Sequence, residues 1–89
     1  MIDLARLNRI RWRARRGLLE NDIVLEKYFS QYAETMTDAD VFGLDALLEL
    51  SDNDLLDLIM VRKELNDVEL APEHQIPAAR ILQTLRTIH

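Results

Sequence analysis

The sequence predicts an all-α fold: a compact five-helix bundle forming a single domain over residues 1–89. Three observations predict it. Apolar residues recur at three- to four-residue intervals along most of the chain, with no strand-like alternation. Thr37-Asp38-Ala39-Asp40 and Ser51-Asp52-Asn53-Asp54 each pair a hydroxyl with an acid three positions on, a weaker form of the box that caps helix starts. The chain has 89 residues, 48% of them hydrophobic, with two glycines and two prolines. That is the composition of one globular domain and leaves little room for a second.

The first helix is expected over residues 2–15, where Ile2, Leu7, Ile10 and Ala14 share a face and arginines fill the others. Gly17 ends it, because a residue just past a helix often needs a positive φ that costs glycine little. The second helix follows at once. Leu18, Leu19, Ile23, Val24, Leu25, Tyr28, Phe29, Tyr32 and Met36 form a wide apolar band over roughly five turns. Glu20 and Asp22 fall in its first turn, where the helix dipole favours negative charge.

The third helix, starting at the Thr37 cap, should bury Val41, Leu44, Leu47 and Leu48. Gly43 weakens it by about 1 kcal/mol relative to alanine unless packing demands a missing side chain. The fourth, starting at the Ser51 cap, should bury Leu55, Leu56, Ile59 and Met60. Residues 63–76 are ambiguous, with a turn suggested at Asn66-Asp67 and interruptions at Pro72 and Pro77. Pro77 fits the first turn of a last helix, whose buried stripe is Ala78, Ile81, Leu82, Leu85 and Ile88.

Much chemistry is excluded at this level. The absence of cysteine removes disulfides, thiol nucleophiles and cysteine-based metal sites. His74 and His89 stand alone, without the spacing of a metal site, and read as surface residues. Asp52, Asp54 and Asp57 break the Ca²⁺-loop pattern and read as caps and a solvated face. No glycine-rich phosphate loop is present, so no tightly bound cofactor is expected. Tyr28, Phe29 and Tyr32 fall at core spacing. The longest apolar runs, such as Leu58-Ile59-Met60-Val61, are four residues against the ~20 of a membrane span, and there is no signal-peptide apolar region. A cytoplasmic, monomeric protein is expected, and a conventional enzyme is improbable.

Charge is uneven. Six arginines against one aspartate give residues 1–17 a charge of +5, whereas residues 18–89, with five basic and fifteen acidic residues, carry −10. A nucleic-acid arm, a targeting peptide, a protein-docking surface and a plain solvated face are the competing readings. The acidic body repels phosphate, which weighs against nucleic acid. The charges concentrate at Arg15-Arg16-Gly17-Leu18-Leu19-Glu20-Asn21-Asp22. This corner is either a local Arg16–Glu20 ion pair worth ~0–1 kcal/mol or a rigid projection that offers guanidinium forks and a carboxylate to a partner. Physics alone leaves both standing.

The segment Ile10 to Asp22, reading Ile-Arg-Trp-Arg-Ala-Arg-Arg-Gly-Leu-Leu-Glu-Asn-Asp, resembles the signature of the SdhE family of flavinylation factors, also called succinate dehydrogenase assembly factor 2 or YgfY. The family's hallmark Arg-Gly-x-x-Glu is matched by Arg16, Gly17 and Glu20, its preceding tryptophan by Trp12, and its following acid by Asp22. A second block, Leu47 to Met60, is similar to another family segment, so the resemblance spans about residues 6–62. The family often has Trp where Leu58 stands and Gly or Asn where Val61 stands.

The resemblance implies a helical assembly factor that is not itself an enzyme. It implies binding to the flavoprotein subunit of succinate dehydrogenase, and in bacteria also of fumarate reductase, to promote covalent attachment of FAD to that subunit. The FAD then belongs to the partner and the bond-forming chemistry to the flavoprotein. Arg16 and Glu20 would face the partner, Gly17 would set the angle between the first two helices, and Asp22 would support the corner. Arg9, Trp12 and Arg15 would add to the same side. The alternative is a nucleic-acid-binding or regulatory module using the arginine-rich first helix.

Overall fold

The structure is a computed structural model and describes residues 2–15 and 17–89. Among the described residues are five α-helices, α1 (Leu4–Ala14), α2 (Leu19–Tyr32), α3 (Asp38–Leu48), α4 (Asp52–Ile59) and α5 (Gln75–Ile88). Two of their connections contain 3₁₀ turns: Ala33–Thr35 between α2 and α3, and Leu65–Asp67 and Pro72–His74 in the longer one between α4 and α5. No strand occurs among the described residues.

Side chains cap α3 and α4 where the sequence places caps, and also α1, where it gave none. The Asp3 carboxylate accepts from the Arg6 N–H at 2.8 Å and starts α1. Thr37 and Asp40 form a reciprocal box at α3: the Asp40 N–H donates to Thr37 Oγ1 (3.2 Å) and the Thr37 N–H to Asp40 Oδ2 (2.9 Å). At α4, the Ser51 hydroxyl accepts from the Asp54 N–H at 3.1 Å, while the Asp54 carboxylate takes a hydrogen bond from Lys63 at 2.7 Å. These bonds satisfy backbone donors that have no partner inside the helix.

The core is built on α3 against α5. Val41, Leu44, Leu47 and Leu48 meet Ala78, Ile81, Leu82 and Leu85, all buried. The approach depends on Gly43: a Cβ there would lie 2.4 Å from the Pro77 carbonyl oxygen. The missing side chain is therefore demanded by packing, and Pro77 sits in the first turn of α5, where a proline is tolerated. α2 adds Val24, Leu25, Tyr28 and Phe29, and α4 adds Leu55, Leu58 and Ile59. α1 contributes the buried Ile10 and Ala14 and the half-buried Leu7, with Ile2 ahead of it.

Three expectations need correction. The apolar band of α2 is wider than the stripe the bundle can cover, so Leu19, Ile23 and Tyr32 are exposed, and the helix stops after about four turns. On the short α4, Leu58 is fully buried, whereas Leu56 is half-buried and Met60, already the C-terminal cap, is exposed. His74 is not a free surface residue: it ends a 3₁₀ turn, half-buried, with its ring centroid 4.5 Å from that of Phe42.

α4 ends in a tight reversal. The Val61 N–H donates to the Leu58 carbonyl (3.2 Å) and the Arg62 N–H to the Asp57 carbonyl (2.8 Å). This double bond pattern requires a left-handed residue at the position after the cap, and Val61 occupies it at φ 60°. It is the one non-glycine residue with positive φ among those described.

Candidate docking corner

α1 sorts its arginines by face. Arg6 pairs with Asp38 of α3. Arg13 pairs with Asp45 of α3 and, at 2.7 Å, with Glu49, the C-terminal cap of that helix. Arg11 donates to Glu26 of α2 at 3.1 Å, and its guanidinium carbon lies 5.4 Å from the Phe29 ring centroid. Arg9, Trp12 and Arg15 point outward, three residues apart, and therefore share one face. Trp12 is 77% exposed, unusual for the largest apolar side chain of a small domain. Much of the basic stripe is thus spent within the molecule, which leaves little bare cationic surface for a phosphate backbone.

Past α1 the chain turns at Gly17, whose φ of 95° is strained for any residue with a Cβ. A Cβ at Gly17 would meet nothing within 4 Å. The glycine is there for its conformation, and the space beside it is open. Arg16 lies outside the described residues, and with it the expected Arg16–Glu20 pair.

The first turn of α2 alternates in exposure. Glu20 is exposed, Asn21 is fully buried and Asp22 is half-buried. The Asn21 amide donates to the Asp52 carbonyl at 3.0 Å and pins the start of α2 onto the start of α4. Its Oδ1 finds no partner among the described residues. Such a buried orphan costs ~1–3 kcal/mol, so this contact fixes the geometry of the corner at the expense of stability. Arg15, Asp22, Ile23 and Glu26 line an open cleft of about 290 Å³ between the end of α1 and the first turns of α2. With the exposed Leu19 and Ile23, the corner offers charge of both signs around apolar patches.

The structure brings Gly17, Glu20, Asp22 and Arg15 together at this corner, with Arg9 and Trp12 along the adjoining face of α1. Leu19 and Ile23 were missed as surface residues. The signal was the width of the α2 band, too broad for one buried stripe.

Other clusters are structural. Lys63 bonds Asp54 and lies 4.0 Å from Asp57, and Arg62 lies 3.4 Å from Asp57. The Lys63 hydrogen bond holds the Asp54 carboxyl below its usual range, and the same bond raises the Lys63 ammonium above its own. Burial, followed by the nearby charges of Asp40 and Tyr32, pushes the Tyr28 phenol well above its ordinary value. No cluster of three or more His, Cys, Asp or Glu that could hold a metal occurs among the described residues. Among the described residues no helix is long and apolar enough to cross a membrane.

Fold and corner together define a small all-α domain that presents an exposed, mixed-charge turn. Comparison with known proteins gives the family. Residues 8–87 match the model described as "Flavinator of succinate dehydrogenase", and the chain belongs to that family. It is similar to the "FAD assembly factor SdhE" of Ralstonia nicotianae, with 47% identity covering 97% of this chain and 86% of the relative. It is also similar to proteins of the same description from Pseudomonas putida (34% identical, covering 79% of this chain and 83% of the relative) and Vibrio cholerae (35%, 71% and 73%). No solved structure matches the chain.

Proposed function

We propose that this protein is a non-enzymatic assembly factor that binds the flavoprotein subunit of succinate dehydrogenase and promotes covalent attachment of FAD to it. Family membership supports the role. The observation that carries the residue-level reading is the open, positive-φ Gly17 turn between the outward face of α1 and the exposed Glu20. Arg16, Gly17, Glu20 and Asp22 form the docking corner; Arg9, Trp12 and Arg15 extend it, and Leu19 and Ile23 supply apolar contact.

The protein acts by orientation. It holds the subunit so that the acceptor histidine and the flavin ring are aligned, and alignment alone can supply several kcal/mol toward a barrier. The FAD stays with the flavoprotein, whose own groups form the bond. The factor works as a cytoplasmic monomer, serves the fumarate reductase flavoprotein in the same way, and binds no nucleic acid.

Glu20→Ala tests the reading. The residue is exposed in a first helical turn, so its loss costs ~0.3–1 kcal/mol of a domain stability of ~5–15 kcal/mol. A charged contact truncated on one side of an interface typically costs ~2–5 kcal/mol, roughly thirtyfold or more in affinity. Melting should stay nearly fixed while covalent flavin on the subunit, read as in-gel fluorescence under acid, collapses at limiting factor. Flavinylation equal to wild type at matched, limiting concentrations removes Glu20 from the site.

A further inference from the structure

The inward arginines of α1 have a use beyond neutralising acids. α1 fully buries only Ile10 and Ala14 of its eleven residues, with Leu7 half-buried beside them. That seam is narrow, and apolar contact is non-directional, so packing alone holds the rotation of the helix loosely. At about 100° per residue, Arg11 and Arg13 stand about 200° apart and flank the seam on opposite sides. Arg13 forks to Asp45 on α3 and to Glu49, four residues on at the cap of that helix, and Arg11 reaches Glu26 on α2 over the Phe29 ring. Arg6, on the Arg13 side, adds Asp38. Charge-assisted hydrogen bonds of this kind are directional. Arg9, Trp12 and Arg15 lie on the side away from the seam, so any roll of α1 displaces all three.

We infer that Arg11 and Arg13 are positioning residues: they clasp α1 between α2 and α3 and set the rotation at which it presents Arg9, Trp12 and Arg15 to the flavoprotein. The inference rests on the docking corner proposed above. Each pair is exposed, and an isolated one would matter little. Here they restrain the helix with the fewest buried residues, which is the element most prone to open locally.

The test neutralises the clasp from α3, away from the docking face, with Asp45→Asn/Glu49→Gln. Two quantities are read: amide hydrogen exchange across the chain, and affinity for the purified apo-flavoprotein subunit. The expected result is exchange in α1 up to about thirtyfold faster, unchanged exchange in α3 and α5, and affinity weaker by up to the same factor, as for two exposed pairs at their upper strength. Arg13→Lys keeps the charge but not the fork and should fall in between. Unchanged exchange in α1 overturns the inference. Faster exchange with unchanged affinity overturns it equally, since the clasp would then be structural only. Glu20→Ala in the same binding assay separates the two ideas. If it alone loses affinity, the corner stands and the clasp falls; if the α3 variant alone loses affinity, the clasp stands and Glu20 falls.

Discussion

Val61→Gly should make this protein more stable, although it removes a side chain. Val61 occupies the left-handed position that closes α4, at φ 60°. That conformation costs an L-residue ~1–2 kcal/mol, and a β-branched side chain sits at the upper end. Glycine removes the cost while leaving intact the two hydrogen bonds to Leu58 and Asp57. Against this, glycine gives the unfolded chain extra freedom worth ~0.4–1 kcal/mol. The valine is 58% exposed, so little buried area is lost. The net gain is ~0.5–1 kcal/mol, which for a domain of this size raises the melting temperature by about 2–8 °C. Paired thermal melts followed by far-ultraviolet circular dichroism measure it, and urea titrations should move the midpoint without changing the slope. Val61→Ala, which keeps the Cβ but not the branch, should not reach the glycine value. A glycine variant melting at or below wild type would refute the reasoning, because packing by Val61 would then outweigh its strain.

Gly43→Ala should destabilise by ~1–3 kcal/mol, because its Cβ meets the Pro77 carbonyl oxygen at 2.4 Å and both sides of the contact are backbone; urea midpoints check it. Gly17→Ala should cost only the ~1–2 kcal/mol of positive φ, since the added carbon touches nothing, and its crystal structure should leave α1 and α2 in place. The Asp54–Lys63 pair works in two pH windows. The depressed Asp54 stabilises above the ordinary carboxyl value of 3.8, and that contribution is lost as pH falls through its lowered folded value; the raised Lys63 stabilises below 10.5 and loses its contribution as pH rises through its folded value. Lys63→Met should therefore flatten the ends of the stability–pH profile while changing its shape little at neutrality.

Much of the fold was legible because local chemistry and tertiary packing agree. Thr37 and Ser51 start the helices the sequence assigns to them, whereas α1 already ends at the extended Arg15 and the positive φ of Gly17 shapes the turn that follows. Gly43 was legible as a query: an unfavourable residue in a helix interior implies a close neighbour, though only the structure supplies Pro77. The burial of Leu58 and exposure of Met60 were not legible, because an eight-residue helix has too few turns for periodicity to fix its phase. At the corner, the residue types Gly17, Glu20 and Asp22 were readable from the motif. The destination of Arg6, Arg11 and Arg13 was not, since their acids lie 15 to 36 positions away in sequence. For the same reason Asn21, polar and in a first turn, gave no sign that it would be fully buried against α4.

The pairing of those arginines also governs how this molecule meets another in solution. A segment of +5 read from the sequence would project a monopole and draw acidic surfaces from a distance. Bound to the carboxylates of α2 and α3, three of its cations become short dipoles, whose potential dies away within about a Debye length, ~8 Å at physiological ionic strength. Beyond that shell an approaching protein senses the net negative body. The basic helix therefore does not govern how often encounters occur.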